Sequence, residues 1–186
     1  MTLTTTAILV DLTVQALLAA DTDAGERIYT PGDWPTKTGT FPVLLVQGIR
    51  EQKESIGRGT IEFTVVSTIR ITARTSAPGA PDDQGGEDAE EKLWRLQRQI
   101  ECAVINADWR IGSAQRLSQY PSVRSQLAMN SEGQVQVGEL LMEIEMEYYQ
   151  GPEAFYPVPT APLDEITAQV VMPDHTTRPG FDISFV

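Results

Sequence analysis

Two stretches of the chain alternate apolar and polar residues with the period of two that is typical of β-strands. The first runs from Ile61 to Ala73 and is rich in β-branched residues. The second runs from Gln134 to Tyr149, where every other residue from Leu140 to Tyr148 is apolar and most residues between them are glutamates. We therefore predict two long strands, the second with one face in a core and one acidic face.

Two other stretches space their apolar residues three and four positions apart, as one face of a helix requires. The first is Ala7–Ala20, for which Thr5 or Thr6 is a plausible N-cap. The second is Glu87–Ala107, with several acidic residues in its first turn, where they suit the helix dipole. These patterns predict two main helices.

The remaining segments of the first 150 residues give weaker patterns. Val43–Val46 is continuously apolar and predicts a strand covered on both faces. Gln47–Arg58 is polar and leads into a glycine-rich turn, and Thr75–Gly86 has the composition of a loop. Trp109–Gly133 is ambiguous and is predicted to hold a short strand and a loop around Tyr120.

The segment 151–186 contains six prolines and cannot form ordinary helices or a central strand throughout. We predict an α+β fold for residues 1–150, with a mixed or antiparallel sheet flanked by the two helices, and an extended Pro-rich C-terminal arm for residues 151–186. The arm is expected to pack on a body, its own or a neighbour's, and its residues 163–186 are expected to reach a neighbouring subunit or another partner protein by strand addition or by filling a groove. Its contact candidates are Leu163, Ile166, Val170, Val171, Phe181, Ile183 and Phe185.

Residue counts exclude many kinds of catalytic site. The chain has one cysteine, Cys102, and one histidine, His175, so a catalytic triad or a zinc site would have to use that histidine. We expect Cys102 to be a packed thiol and His175 to be a surface histidine. No catalytic, cofactor-binding or metal-binding residue is assigned.

The charge of the chain is concentrated in its second half. Residues 1–80 carry eight acidic and seven basic residues, whereas residues 81–186 carry eighteen and seven, which is -11 of the net -12. This balance argues against a surface that grips nucleic acid. No apolar run approaches the length of a membrane span, so no membrane partner is expected.

Three glutamates spaced two apart, Glu143, Glu145 and Glu147, project from one face of the second long strand. Such a row could bind a divalent cation or raise the pKa of one carboxyl. We favour a solvated or interface-facing strand, because hard cations usually take ligands that converge from loops.

The order of these elements resembles the tail terminator proteins of long-tailed bacteriophages, also called tail completion or minor tail protein U-like proteins. The residues that carry the likeness are the helix Ala7–Ala20, Arg27–Tyr29 before Pro31 and Trp34–Pro35, Phe41–Val46, and the strand Ile61–Ala73 followed by the helix Glu87–Ala107. The resemblance covers about residues 5–150.

The resemblance implies a structural virion protein without catalysis or cofactor. Its subunits would form a ring, expected to be hexameric, on the head-proximal end of the tail tube. The partners would be the tube protein and the head-tail connector or stopper, with DNA passing through the channel without specific binding. The protein would be made in the bacterial host cytoplasm and reside in the virion, at the head-tail interface.

An acidic channel lining would repel the DNA backbone and ease its passage. The candidates for that lining are Asp82, Asp83, Glu87, Glu143, Glu145 and Glu147. Two alternatives stay open: another neck or tail ring component, such as a connector stopper, and a small enzyme that uses carboxylates. A pocket with convergent carboxylates would favour the enzyme.

Overall fold

The computed structural model describes residues 4–31, 41–78, 84–107, 109–111, 114–115, 117–132, 135–156, 165–171 and 177–184. The chain divides into two compact units, Met1–Pro152 and Glu153–Val186. A short 3-10 turn, Pro152–Ala154, lies at the division. Each unit is considered by itself.

In its described part, the first unit contains two helices and seven strands. Their bounds are α1 (Thr6–Ala19), β1 (Ile28–Tyr29), β2 (Val43–Ser55), β3 (Phe63–Pro78), α2 (Gln84–Ile105), β4 (Arg110–Ile111), β5 (Ala114–Gln115), β6 (Val123–Glu132) and β7 (Val135–Gln150).

Five of these strands form one mixed sheet in the order β1-β2-β3-β7-β6. β1 pairs with β2 in parallel, and the other neighbours are antiparallel. The short strands β4 and β5 pair only with each other in the described part. The predicted α+β fold, with a mixed sheet and two helices, is confirmed.

Both helices pack on the same face of the sheet. Most side chains of β3 and β7 that point to this face are buried, and Ile69 and Ile144 are fully buried. They form one hydrophobic cluster with Leu9 of α1 and with Leu93 and Ile100 of α2. Burying each such side chain contributes about 1.5–3 kcal/mol, so this cluster is the main source of stability in the first unit.

The N-terminus of α1 lies close to the sheet. The Thr5 side chain accepts a hydrogen bond from the Ile8 amide, which confirms the predicted N-cap. A Cβ on Gly48 of β2 would lie 2.6 Å from Cγ2 of Thr6, so a glycine is needed where the helix begins. The ladder between β2 and β3 also shifts register between Gly48 and Arg50, which marks a bulge.

The structure corrects several predicted boundaries. The polar segment after Val46 does not leave the sheet, because β2 runs on to Ser55 and pairs with β3 along its whole length. β3 extends to Pro78, and α2 begins at Gln84 rather than Glu87. The larger difference is β6, a ten-residue strand in the ambiguous segment for which a short strand and a loop were predicted.

The second unit contains a two-stranded antiparallel sheet of β8 (Glu165–Val171) and β9 (Thr177–Ser184). Gln169 pairs with Pro179 and Ala168 with Phe181, so Gly180 is the extra residue of a bulge. The predicted extended arm is therefore a hairpin in its described part. Of the contact candidates, Ile166, Val170 and Val171 lie in β8, and Phe181 and Ile183 lie in β9, whereas Leu163 and Phe185 fall outside the described residues.

None of the helices in the described part of the chain is both long enough and apolar enough to cross a membrane.

Candidate functional site

The sheet face opposite the helices carries the predicted row of glutamates. On β7, alternate residues from Leu140 to Tyr148 are buried under the helices, so the residues between them point to the other face. Neither α1 nor α2 packs on that second face, and we call it the uncovered face only in the sense that no described helix lies on it. It presents Glu139, Glu143, Glu145 and Glu147.

Strand β3 places arginines directly opposite two of these glutamates. Its register pairs Arg70 with Glu143 and Arg74 with Glu139. Arg70 Nη2 lies 2.6 Å from Glu143 Oε1, and its Nε lies 3.1 Å from the same oxygen. Arg74 Nε donates to Glu139 Oε2. Opposite charges in directly facing positions stabilise the pairing of the two strands.

Glu145 is contacted by arginines from both sides of β7. Arg50 of β2 approaches its Oε1 to 3.3 Å, and Arg124 of β6 approaches the same oxygen to 3.8 Å. The Glu145 side chain is only 15% exposed. Glu147 accepts a hydrogen bond of 3.0 Å from Gln119 Nε2.

Arginines therefore offset the charge of the glutamate row on β7. Four glutamates of β7 are set among four arginines of the neighbouring strands, and each of these arginines lies within ion-pair distance of a glutamate. The sequence showed the acidic row but not its partners, because those arginines come from three other strands. We conclude that this row, which is acidic in the sequence taken alone, is offset by an equal number of arginines in the folded chain.

The predicted channel candidates do not lie together. Glu87 is in the first turn of α2, on the helical side of the sheet, and it is exposed. Glu143, Glu145 and Glu147 are on the uncovered face, and Asp82 and Asp83 fall outside the described residues. Their placement in a channel stays a prediction.

A second polar cluster, which we call the α1 anchor, was not found from the sequence. The Thr6 hydroxyl bonds to Glu51 Oε2 and lies 2.7 Å from the Ser67 hydroxyl. Tyr148 donates to Glu51 Oε2 at 3.2 Å, and Lys53 Nζ lies 3.2 Å from Glu51 Oε1. These residues come from α1, β2, β3 and β7, so only the folded chain assembles them.

The α1 anchor changes the ionisation of two of its members. Burial tends to raise the pKa of Glu51, but hydrogen bonds from Thr6 and Lys53 outweigh it and hold the pKa below its ordinary value. Burial raises the pKa of Tyr148. Ser67 and Tyr148 are 0% and 1% exposed, so a substrate has no access to their hydroxyls. We interpret the cluster as an attachment of α1 to the sheet.

A small cavity of about 150 Å³ lies beside α2. Its lining includes one carboxylate, Asp23, together with Lys92 and Arg95. Asp23 accepts hydrogen bonds from Gln99 at 2.8 Å and from Arg95 at 2.7 Å, and these bonds lower its pKa. This carboxylate is already paired, so the cavity does not bring free carboxylates together.

The other candidate chemistry is also not assembled. Cys102 is exposed, so the prediction of a packed thiol is wrong; the residue lies on the side of α2 turned away from Leu96 and Ile100. His175 falls outside the described residues. Within the described part of the chain, no three histidine, cysteine or acidic side chains are grouped in a way that could hold a metal ion.

The architecture is that of an α+β protein with helices on one face of a mixed sheet. Comparison of the sequence with protein-family models and with curated proteins finds no match.

Proposed function

We propose that the protein is a bacteriophage tail terminator, a structural subunit that forms a ring on the head-proximal end of the tail tube. The ring, hexameric in this proposal, ends polymerisation of the tube and joins the tail to the head connector. Support comes from the order of elements. α1 is followed by the hairpin of β2 and β3, α2 is followed by the hairpin of β6 and β7, and the two hairpins join in one sheet. The subunit acts by assembly and needs no catalytic residue.

The observation that carries the proposal is the charge pairing of the uncovered face. DNA that slides through a channel is held back by unpaired cations, because each one attracts a phosphate. On this face Arg70 and Arg74 are bonded to Glu143 and Glu139, and Arg50 and Arg124 share Glu145. We propose that this face lines the channel and that the glutamates keep its arginines away from the DNA.

Assembly and capping can be tested on the purified full chain. Native mass spectrometry across concentration and salt, followed by negative-stain imaging, is expected to show a hexamer with an open centre. Adding the protein to growing tail tubes should then stop their elongation. A ring that leaves tube growth unchanged would indicate another neck component, such as a stopper. A chain that neither assembles nor caps tubes would contradict the proposal.

The role of the glutamates can be tested by reversing their charge. We expect the double variant Glu143→Lys and Glu145→Lys to retain double-stranded DNA in a filter-binding assay at low salt, whereas the parent chain does not. The control is Asp11→Lys, an exposed position on α1 that is remote from the uncovered face. Equal DNA retention by the double variant and the control would remove the argument for a channel wall.

A further inference from the structure

Strand β6 forms an edge of the five-stranded sheet in the described part of the chain. The Glu145 amide donates to the Ser122 carbonyl, and the same register continues with Val123 opposite Ile144. Since hydrogen-bonded positions alternate along an antiparallel ladder, the even-numbered residues of β6 bond to β7. The backbone N–H groups of the odd-numbered residues, Ser125 among them, therefore point away from the sheet.

Two apolar side chains of β6 are partly exposed beside this edge, on the face of the sheet that carries the helices. Val123 and Met129 are 39% and 38% exposed. A Cβ on Gly138 would touch both Leu93 of α2 and the sulfur of Met129, so α2 lies next to β6 at this point. An edge ten residues long, with open donors and apolar groups beside it, is a template for another strand.

A third exposed apolar side chain lies on the flank of α2 nearer to β6. Arg95 and Gln99 bond to Asp23 and mark the opposite flank, which faces the β1 and β2 side of the sheet. At about 3.6 residues per turn, Trp94 falls on the β6 side, and it is 52% exposed. A strand added to β6 would cover part of this apolar surface.

The hairpin of the second unit has one strand suited to such pairing. Two-stranded hairpins are marginally stable alone and gain from a third strand. The outer edge of β9 is interrupted by Pro179, which has no N–H, and by the bulge at Gly180. β8 has neither proline nor glycine among its seven residues, and four of them are β-branched.

We propose that β8 of one copy adds to the outer edge of β6 of the next copy. This contact rests on the proposed function, because it supplies the subunit interface of the ring. It joins two different surfaces of the chain, so it is a head-to-tail contact, the kind that closes into rings. Because β8 stays paired with β9, the sheet formed in this way has seven strands, and it covers Val123 and Met129 at the contact between the partners.

The edge can be blocked without breaking the sheet. Ser125→Pro removes an N–H that points outward and leaves the bonds between β6 and β7 intact, whereas Ser125→Thr keeps the donor. We expect both variants to unfold at the temperature of the parent chain. In native mass spectrometry the proline variant should lose the oligomer and the threonine variant should keep it. An oligomer that survives Ser125→Pro overturns the proposal, even if that oligomer caps tubes.

Cross-linking identifies the strand that occupies the edge. All chains carry Cys102→Ser, and one set also carries Gln126→Cys in β6. These chains are mixed with a second set that has a single cysteine in β8, at each of the positions 166–170 in turn. Chains with a single cysteine at Thr177 or Ser184 of β9 are the controls. We expect disulfide-linked dimers from β8 positions and a loss of this product with the β9 controls. Equal yields from both strands overturn the proposal, as does a failure of every mixed pair to link. As a second experiment, one chain carries both Gln126→Cys and a β8 cysteine; a link that forms only within that chain, and never between chains, also overturns the proposal.

These outcomes are distinct from failure of the proposed function. A cross-linked oligomer that does not cap tubes retains the contact and contradicts the terminator. A tube-capping ring without the cross-link retains the terminator and contradicts the contact.

Discussion

At the scale of single residues, the α1 anchor shows how one carboxylate joins three elements, α1, β2 and β7. Glu51 is bonded to Thr6, Lys53 and Tyr148, and its side chain is 32% exposed. Because it is only partly shielded from water, its bonds contribute less than those of a fully buried charge. The cluster nevertheless fixes the start of α1 on the sheet.

The depressed pKa of Glu51 makes the stabilisation by the α1 anchor dependent on pH. A group whose folded-state pKa is lowered stabilises the fold above its ordinary value, here 4.5, and that contribution is lost as the pH falls through the folded-state pKa. We expect Glu51→Gln to lower the free energy of unfolding by about 1 kcal/mol at pH 7 and by less at pH 3. Urea unfolding at both pH values measures this, with Glu54→Gln on the same strand as the control. If Glu51→Gln lowers the free energy of unfolding by the same amount at pH 3 as at pH 7, the depressed pKa of Glu51 is contradicted.

Tyr120 stabilises the fold with the opposite dependence on pH. Its hydroxyl donates to the Val104 carbonyl near the end of α2, and burial raises its pKa to about 12, although a hydrogen bond with Trp109 acts against this rise. Stabilisation from a raised pKa is complete below the ordinary value of 10 and is lost as the pH rises through 12.

We expect Tyr120→Phe to cost about 1 kcal/mol at pH 8, from the lost hydrogen bond, and clearly less at pH 11. Thermal unfolding at the two pH values measures the difference between parent and variant. Tyr156→Phe, at a position 56% exposed, is the control and should have no effect at either pH. A Tyr120→Phe effect that is the same at both pH values would argue against the shift.

At the scale of elements, the packing of α2 on β7 depends on a glycine. A Cβ at Gly138 would lie 2.6 Å from Cδ1 of the fully buried Leu93 and 3.1 Å from Met129 Sδ. We expect Gly138→Ala to destabilise the protein by about 1–3 kcal/mol, because neighbours in a packed core must move. Gly57→Ala, where nothing lies within 4 Å, is the matched control in chemical denaturation. Similar effects at the two glycines would disprove the close approach.

The periodicity of apolar residues predicts the elements that face the core and misses strands that are exposed. Alternation identified β3 and β7, and spacings of three and four residues identified both helices, because their apolar residues all face one core. β6 is exposed along most of its length, so its apolar residues do not reveal its pairing with β7. The second half of β2 is polar for the same reason and is held in the sheet by β3.

At the scale of the whole molecule, the main hydrophobic cluster among the residues whose burial is described lies in the first unit. Every residue of the main cluster falls between Leu9 and Tyr148. We expect a chain that ends at Pro152 to unfold within about 1 kcal/mol of the full chain, because it keeps that core. Chemical denaturation of both chains measures this.

The same truncation tests the C-terminal hairpin. Under our proposals the shortened chain should stay folded but lose the oligomer and fail to cap tubes. Native mass spectrometry and the tube assay report the two losses separately. A truncated chain that assembles and terminates tubes normally would show that the hairpin has no part in either.

The sequence by itself determined the α+β class, the two helices, the two long strands and the alternating acidic face of β7. These follow from local spacing, since a side chain's position on a strand or helix depends only on its neighbours in the chain. Only the tertiary structure decided that arginines from β2, β3 and β6 neutralise that acidic face. It likewise decided that β6 is the last strand of the described five-stranded sheet and that Cys102 is exposed, because strand order and helix orientation are set by contacts between distant segments.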